Sequence, residues 1–205
     1  MIVLVRHTRV AVPPGTIYGH SDVALADSFD SEAEEVLQRL GTLLNEQACS
    51  DSGLQVRIHS SPLSRCMRLA RHIEAGLGPS HRHMLTIRRP ITVDTRLREM
   101  NFGDWEKKTW TAISEIGGKL WGERWETQAT PNGEGFPQLY ERARAFHEDL
   151  TLAKEGDDLP SVDIVVTHSG VIRCLHAHVQ GLPRREAFSL SPDFGSVRRL
   201  QPPQH

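Results

Sequence analysis

The sequence predicts an α/β fold, a three-layer α/β/α sandwich whose mostly parallel central sheet carries helices on both faces. Three observations predict it. Short β-branched or aliphatic runs alternate with helical patterns along the chain. Most of those runs are close to continuously apolar, as strands buried on both faces must be. The 205 residues suit one compact domain, 1–205, interrupted by a less regular, cap-like excursion at about 101–135.

Taken in order, the expected strands are Ile2 to Val5, Val56 to His59, Ile91 to Val93 and Asp163 to Val166. The first helix follows Ser31 and Glu34, which have capping-box spacing, and puts Val36, Leu37, Leu40, Leu43 and Leu44 on one face. A second follows Ser61 as N-cap with Pro62 at the first helical position, and its stripe is Leu63, Cys66, Met67, Ala70, Ile73 and Leu77. Leu139, Ala143, Phe146 and Leu150 predict a helix from about Phe136 to Lys154. A last helix runs from Val171 to about Gln180, closed by Gly181 and Pro183. All four tryptophans fall in the excursion, and their near-helical spacing reads as core packing.

Bulk properties narrow the function. No run of some eighteen apolar residues is present, so no membrane span is expected. A formal charge of −2 argues against a nucleic-acid surface, which needs clustered excess Lys and Arg. Cys49, Cys66 and Cys174 are scattered, with no CxxC pair, and MIVLVRH lacks the features of a secretory signal; a cytoplasmic protein is expected. His81 and His83 sit beside Arg82 without further ligand types, and His176 and His178 face different sides of a helix. Neither pair suggests a metal site.

The chemistry gathers where strands end. Arg6, His7 and Thr8 follow the first strand, and the carboxyl ends of strands are where open α/β sheets collect ligands. An isolated Arg-His pair also serves merely to close a strand. The second strand ends in His59, Ser60 and Ser61, with Arg65 in the first turn of the next helix, where backbone N–H groups help to grip an anion. Glu99 and Gly103 come after the third strand within LREMNFGDWE, and Thr167, His168, Ser169 and Gly170 come after the fourth.

RHT, SSPLSR, LREMNFGDWE and VVTHSGVIR, in that order, resemble the four signatures of the phosphoglycerate mutase-like histidine phosphatases, over almost the whole chain. The resemblance implies that His7 is a nucleophile, that Arg6, Arg65 and His168 complete a phosphate pocket, and that Glu99 is the proton donor. Thr8 stands where the family often has glycine. Gly135, in NGEG, replaces the serine of a segment that usually reads GES. TIYGHSDVAL, residues 16–25, resembles the short loop of the α-ribazole phosphatase branch of cobalamin nucleotide-loop assembly, which places Tyr18 and Gly19, with Thr8 and Ser169, beside the substrate.

Together these readings predict a phosphomonoesterase that acts on a small phosphate ester, α-ribazole 5′-phosphate, as a monomer or homodimer. No cofactor is required, because two guanidinium groups and a protonated or proton-donating His168 supply the positive charge that Mg²⁺ supplies elsewhere. Arg6 and Arg65 also favour the neutral, nucleophilic form of His7. Glu106 is the competing carboxylate and reads as structural. Two enzymatic alternatives are a broad-specificity sugar-phosphate phosphatase and a phosphoglycerate mutase; Arg9, Val10 and Ala11 lack the asparagine that mutases of this family carry after RHG. A non-catalytic phosphate-recognition or regulatory module is the alternative of another class. Retention of the proton donor beside the clamp argues against it.

Overall fold

The computed structural model describes residues 1–47, 54–80, 85–153 and 160–203. Cys49, His81, His83 and the expected helix end at Lys154 lie outside the described residues. The strands are β1 (Ile2–Arg6), β2 (Leu54–Ser60), β3 (Leu85–Val93), β4 (Ser161–Thr167) and β5 (Val197–Leu200). The helices are α1 (Phe29–Gln47), α2 (Ser64–Ser80), the short α3 (Trp110–Ile113) and α4 (Lys119–Arg124), α5 (Phe136–Leu152) and α6 (Ser169–Gln180). One sheet holds the strands in the order β3-β2-β4-β1-β5, parallel except for β5. Among the described residues no helix is long and apolar enough to cross a membrane.

Side-chain alternation along the strands builds a core on each face. Val3, Val5, Val56, Ile58, Ile164 and Val166 pack with Val36 and Leu40 of α1 and Leu69 and Ile73 of α2. Leu4 and Val165 point the other way, onto Leu139 and Phe146 of α5 and Ile172 and Leu175 of α6. α6 ends as expected, with Gly181 in the left-handed region at φ 64°.

Several local expectations are corrected. α1 begins at Phe29, which is buried in line with Ala33, Val36 and Leu40. Ser28 therefore precedes the helix: its carbonyl accepts from the Glu32 N–H at 3.0 Å and its hydroxyl donates to Glu32 at 2.6 Å. Ser31 lies inside the first turn, donating back to the Ser28 carbonyl. α2 begins at Ser64 rather than after Ser61, and Asp22, from a remote loop, accepts from the Ser64 N–H at 3.0 Å. β3 begins before Pro90, because an edge strand with a register shift against β2 tolerates proline. β5 had no expectation, since Arg198 and Arg199 interrupt its apolar character.

In the excursion Trp105 is core, at 3% exposure, but Trp110 is 43% exposed and Trp121 and Trp125 are half-buried. A kink at Gly117, φ 116°, breaks the helix between α3 and α4, so the indoles do not share one inward face. Trp121 instead packs edge-on against Trp105 at 5.7 Å and Trp110 at 6.3 Å. Backbone bonds from Ile17 N–H to the Lys108 carbonyl and from Trp110 N–H to the Gly15 carbonyl, both 2.9 Å, fasten the excursion to the loop after β1.

Candidate active site

β1 connects to α1 on one face of the sheet, and its neighbour β4 connects to α6 on the other. The carboxyl ends of such a strand pair open into the crevice where ligands bind α/β sheets. Arg6 is in register with Thr167, and the His7 N–H donates to the Thr167 carbonyl at 3.0 Å. The rings of His7 and His168 consequently lie 5.1 Å apart.

His7 is 2% exposed. Its Nδ1 lies 2.7 Å from the Thr8 carbonyl, which can only accept, so Nδ1 carries the proton and the lone pair is on Nε2. Burial is the main force that holds its pKa well below the ordinary histidine value, followed by Arg65, with Arg6 weaker. The neutral form is thus set more by desolvation than by the arginines that the sequence put first.

Arg65 is fully buried. It donates to the Gly19 carbonyl at 2.7 Å, the Ser21 carbonyl at 2.9 Å and His168 Nδ1 at 3.3 Å, with its guanidinium 5.2 Å over the Tyr18 ring. Because His168 Nδ1 accepts, Nε2 bears the proton and donates to the Ser61 hydroxyl at 2.9 Å. Burial, His7 and Arg65, in that order, press the His168 pKa well below normal. Of the two forms considered from the sequence, these surroundings oppose the protonated one.

Arg6 donates to the Pro192 carbonyl at 2.7 Å and stacks 3.8 Å over Phe194. Its Nε is buried without a partner, as is the Thr8 hydroxyl two residues on, and buried polar atoms are rarely left so unless something else is to meet them. Tyr18 lies against Arg6, and burial raises its pKa, so the hydroxyl keeps its proton.

Glu99 is aimed by the first turn of α6. Its Oε2 accepts from the Gly170 N–H at 3.1 Å, and Oε1 accepts from the Met100 N–H at 3.0 Å. Glu106 is held away from the cavity, where its carboxylate accepts from the N–H groups of His20, Ser21 and Phe102 and from the Ser21 hydroxyl. It ties the loop at Gly19 to the excursion, as a structural carboxylate does. Gly19 fits there only because it lacks a β-carbon, which would meet the Met100 carbonyl at 1.9 Å.

A cavity of about 190 Å³ opens beside His7, lined by Arg6, His7, Thr16, Ile17, Tyr18, Gly19, Glu99 and Phe102. Five of the nine residues singled out from the sequence line it. Arg65 and His168 are fully buried outside the lining, with the His168 ring 5.1 Å from that of His7; Thr8 is also buried, and half-buried Ser169 opens α6 outside the lining. Thr16, Ile17 and Phe102 had not been singled out, although each adjoins a residue or motif that had been. Ser61, read as a helix cap, accepts from the Leu63 N–H at 3.4 Å and also orients His168. Phe194, 5.5 Å from His7, comes from the turn before β5 and had no sequence signal.

The family model for the histidine phosphatase superfamily (branch 1) matches residues 2–205. Among curated proteins the chain is 26% identical over 197 residues to an adenosylcobalamin/α-ribazole phosphatase of Salmonella typhimurium, covering 94% of this chain and 85% of that one. It is 28% identical over 189 residues to phosphoglycerate mutase-like protein 4 of Arabidopsis thaliana, covering 90% and 73%. Among solved structures, a mycobacterial glucosyl-3-phosphoglycerate phosphatase superposes with a TM-score of 0.74 at 25% identity, covering 96% of this chain and 87% of its own. A match that extends across both strand-end histidines and reaches the last strand leaves no major part of the fold unaccounted for: the chain belongs to the histidine phosphatase superfamily.

Proposed function

We propose that the protein is a phosphomonoesterase that works in two steps through a phosphohistidine on His7. The observation that carries the reading is the tautomer of His7: Nδ1–H is engaged by the Thr8 carbonyl, which leaves the Nε2 lone pair for phosphorus, in a cavity shared with Arg6 and Glu99. In the first step Nε2 attacks phosphorus, the ester P–O bond breaks, and the carboxyl proton of Glu99 passes to the departing alkoxide. In the second, water attacks phosphorus, Glu99 takes back a proton and the P–N bond breaks. Neutral His7 and inorganic phosphate are regenerated.

In this reading Arg6 meets the phosphoryl oxygens with its unpartnered Nε, and the Thr8 hydroxyl donates beside it. Arg65 and His168 form the inner wall and supply positive potential and a fixed imidazole behind the nucleophile. No metal step is needed for charge neutralisation.

For the substrate we favour α-ribazole 5′-phosphate, supported by the likeness of residues 16–25 to the α-ribazole phosphatase loop and by the Salmonella relative. The aromatic groups beside the cavity are Tyr18, Phe102 and Phe194. Trp105, Trp110 and Trp121 pack on one another and Trp125 packs on Phe136 and Phe188, so the excursion tryptophans are not needed for stacking a base. The likeness to glucosyl-3-phosphoglycerate phosphatase favours a phosphosugar as the second reading. The test compares kcat/KM for α-ribazole 5′-phosphate, ribose 5-phosphate, 3-phosphoglycerate and glucosyl-3-phosphoglycerate. The first should exceed ribose 5-phosphate by about tenfold or more, because binding of the base positions the scissile group. Equal rates for those two, a phosphosugar preference or mutase activity would reject the substrate assignment.

A further inference from the structure

Residues 98–101, which carry Glu99, belong to no helix or strand. Their backbone polar groups need partners from elsewhere, and two residues, Arg142 and Glu134, supply half of them. Arg142 of α5 donates through Nη1 to the carbonyls of Arg96 and Arg98, both at 2.5 Å, and through Nη2 to the Glu99 carbonyl at 2.9 Å. Its Nε and Nη2 also hold the Glu134 carboxylate at 2.8 and 2.9 Å. Glu134 in turn accepts from the Asn101 N–H at 3.1 Å, and its own N–H donates to the Asn101 carbonyl at 2.7 Å. The side chains are 18% and 14% exposed, so the pair is largely shielded from water.

We infer that Arg142 and Glu134 are positioning residues for the proton donor: together they clasp the backbone on both sides of Glu99 and fix where its carboxyl stands. The inference rests on Glu99 being that donor. The geometry calls for this residue type, because a guanidinium presents a planar fork of donors that serves three carbonyls and a carboxylate at once, whereas an ammonium is a single point. With the clasp intact, the Glu99 carboxylate is held further by the N–H groups of Met100 and Gly170. Without it the segment is free to shift, and a shift of the order of 1 Å at a proton donor costs up to about a hundredfold in rate. The loss must fall on substrates whose leaving group needs the proton. Aryl phosphates, whose leaving groups need little protonation, are the control.

The experiment measures kcat/KM for ribose 5-phosphate and 4-nitrophenyl phosphate in wild type, Arg142→Lys, Glu134→Gln and Glu99→Gln, and in each clasp variant combined with Glu99→Gln. The expected result is that the ratio of alkyl to aryl kcat/KM falls about tenfold in Arg142→Lys and in Glu134→Gln, and falls no further when either is added to Glu99→Gln. If Arg142→Lys does not fold, Glu134→Gln, which preserves side-chain volume, carries the same comparison. Proportional loss on both substrates would show a general structural role and overturn the inference, as would a further fall of the ratio in the Glu99→Gln background. An unchanged ratio in Glu99→Gln alone would remove the donor assignment itself and the positioning role with it, a failure visible without any change at Arg142.

Discussion

The Gly170 N–H donates to Oε2 of Glu99 at 3.1 Å, and a β-carbon at position 170 would stand 2.2 Å from Oε1 of the same carboxylate. The first turn of α6 is thus shaped around Glu99. Gly170→Ala should displace the carboxyl, lower kcat on alkyl phosphates by roughly tenfold to a hundredfold, and leave the circular dichroism spectrum native. Wild-type kcat in that variant would mean that the contact does not set the donor.

Glu106 differs because its partners are backbone donors of the loop at His20 and Ser21 and of Phe102. Glu106→Ala should destabilise the fold by about 2 kcal/mol, a fall in Tm of roughly 5 °C, by leaving those donors unpaired. The alkyl-to-aryl preference should stay at the wild-type value. A collapse of that preference with little change in Tm would move the acid role from Glu99 to Glu106.

His7 and His168 are neutral in the fold, with pKa values held well below the ordinary histidine value, first by burial. An unfolded chain takes up protons at these residues near pH 6.5 and the folded chain does not. Their contribution to stability is therefore fully present above that pH and is lost as pH falls below it. Tm should drop between pH 7 and pH 5.5, with a shallower slope in His168→Gln. Identical slopes in the two proteins would show that His168 is not buried in the neutral form.

The strand-end residues were legible because each follows an apolar run at once: Val5 into Arg6 and His7, Val166 into Thr167 and His168. The parallel order of the sheet then brings β1 and β4 together, which is why His7 and His168, so distant in sequence, stand with their rings 5.1 Å apart. What stayed hidden depends on tertiary partners. Val197–Leu200 pairs with β1 although two of its four residues are arginines, because Val197 packs onto the core of one face and Leu200 onto that of the other. Phe194 acquires its meaning from the Arg6 guanidinium above it, and Arg142 from carbonyls that no local pattern announces. Ser61 has the sequence setting of a helix cap and its hydroxyl does accept from the Leu63 N–H at 3.4 Å, yet it is shared with His168, and the regular helix begins at Ser64.

On the proposed mechanism Arg6 and Arg65 neutralise the phosphoryl charge, and the rate is expected to be independent of added metal. Dialysis against EDTA should leave kcat and KM within about twofold of the untreated enzyme. Loss of activity that Mg²⁺ or Zn²⁺ restores would contradict that expectation.

The central claim is attack by Nε2 of His7 on phosphorus, and a rapid-quench experiment with labelled substrate tests it most directly. Wild-type enzyme quenched in alkali during turnover should carry one phosphate, stable to base and labile to acid, on the peptide that contains His7. His7→Gln should carry none and should not turn over. Appreciable hydrolysis by His7→Gln, or turnover by wild type in which label never appears on the His7 peptide, would contradict the covalent mechanism.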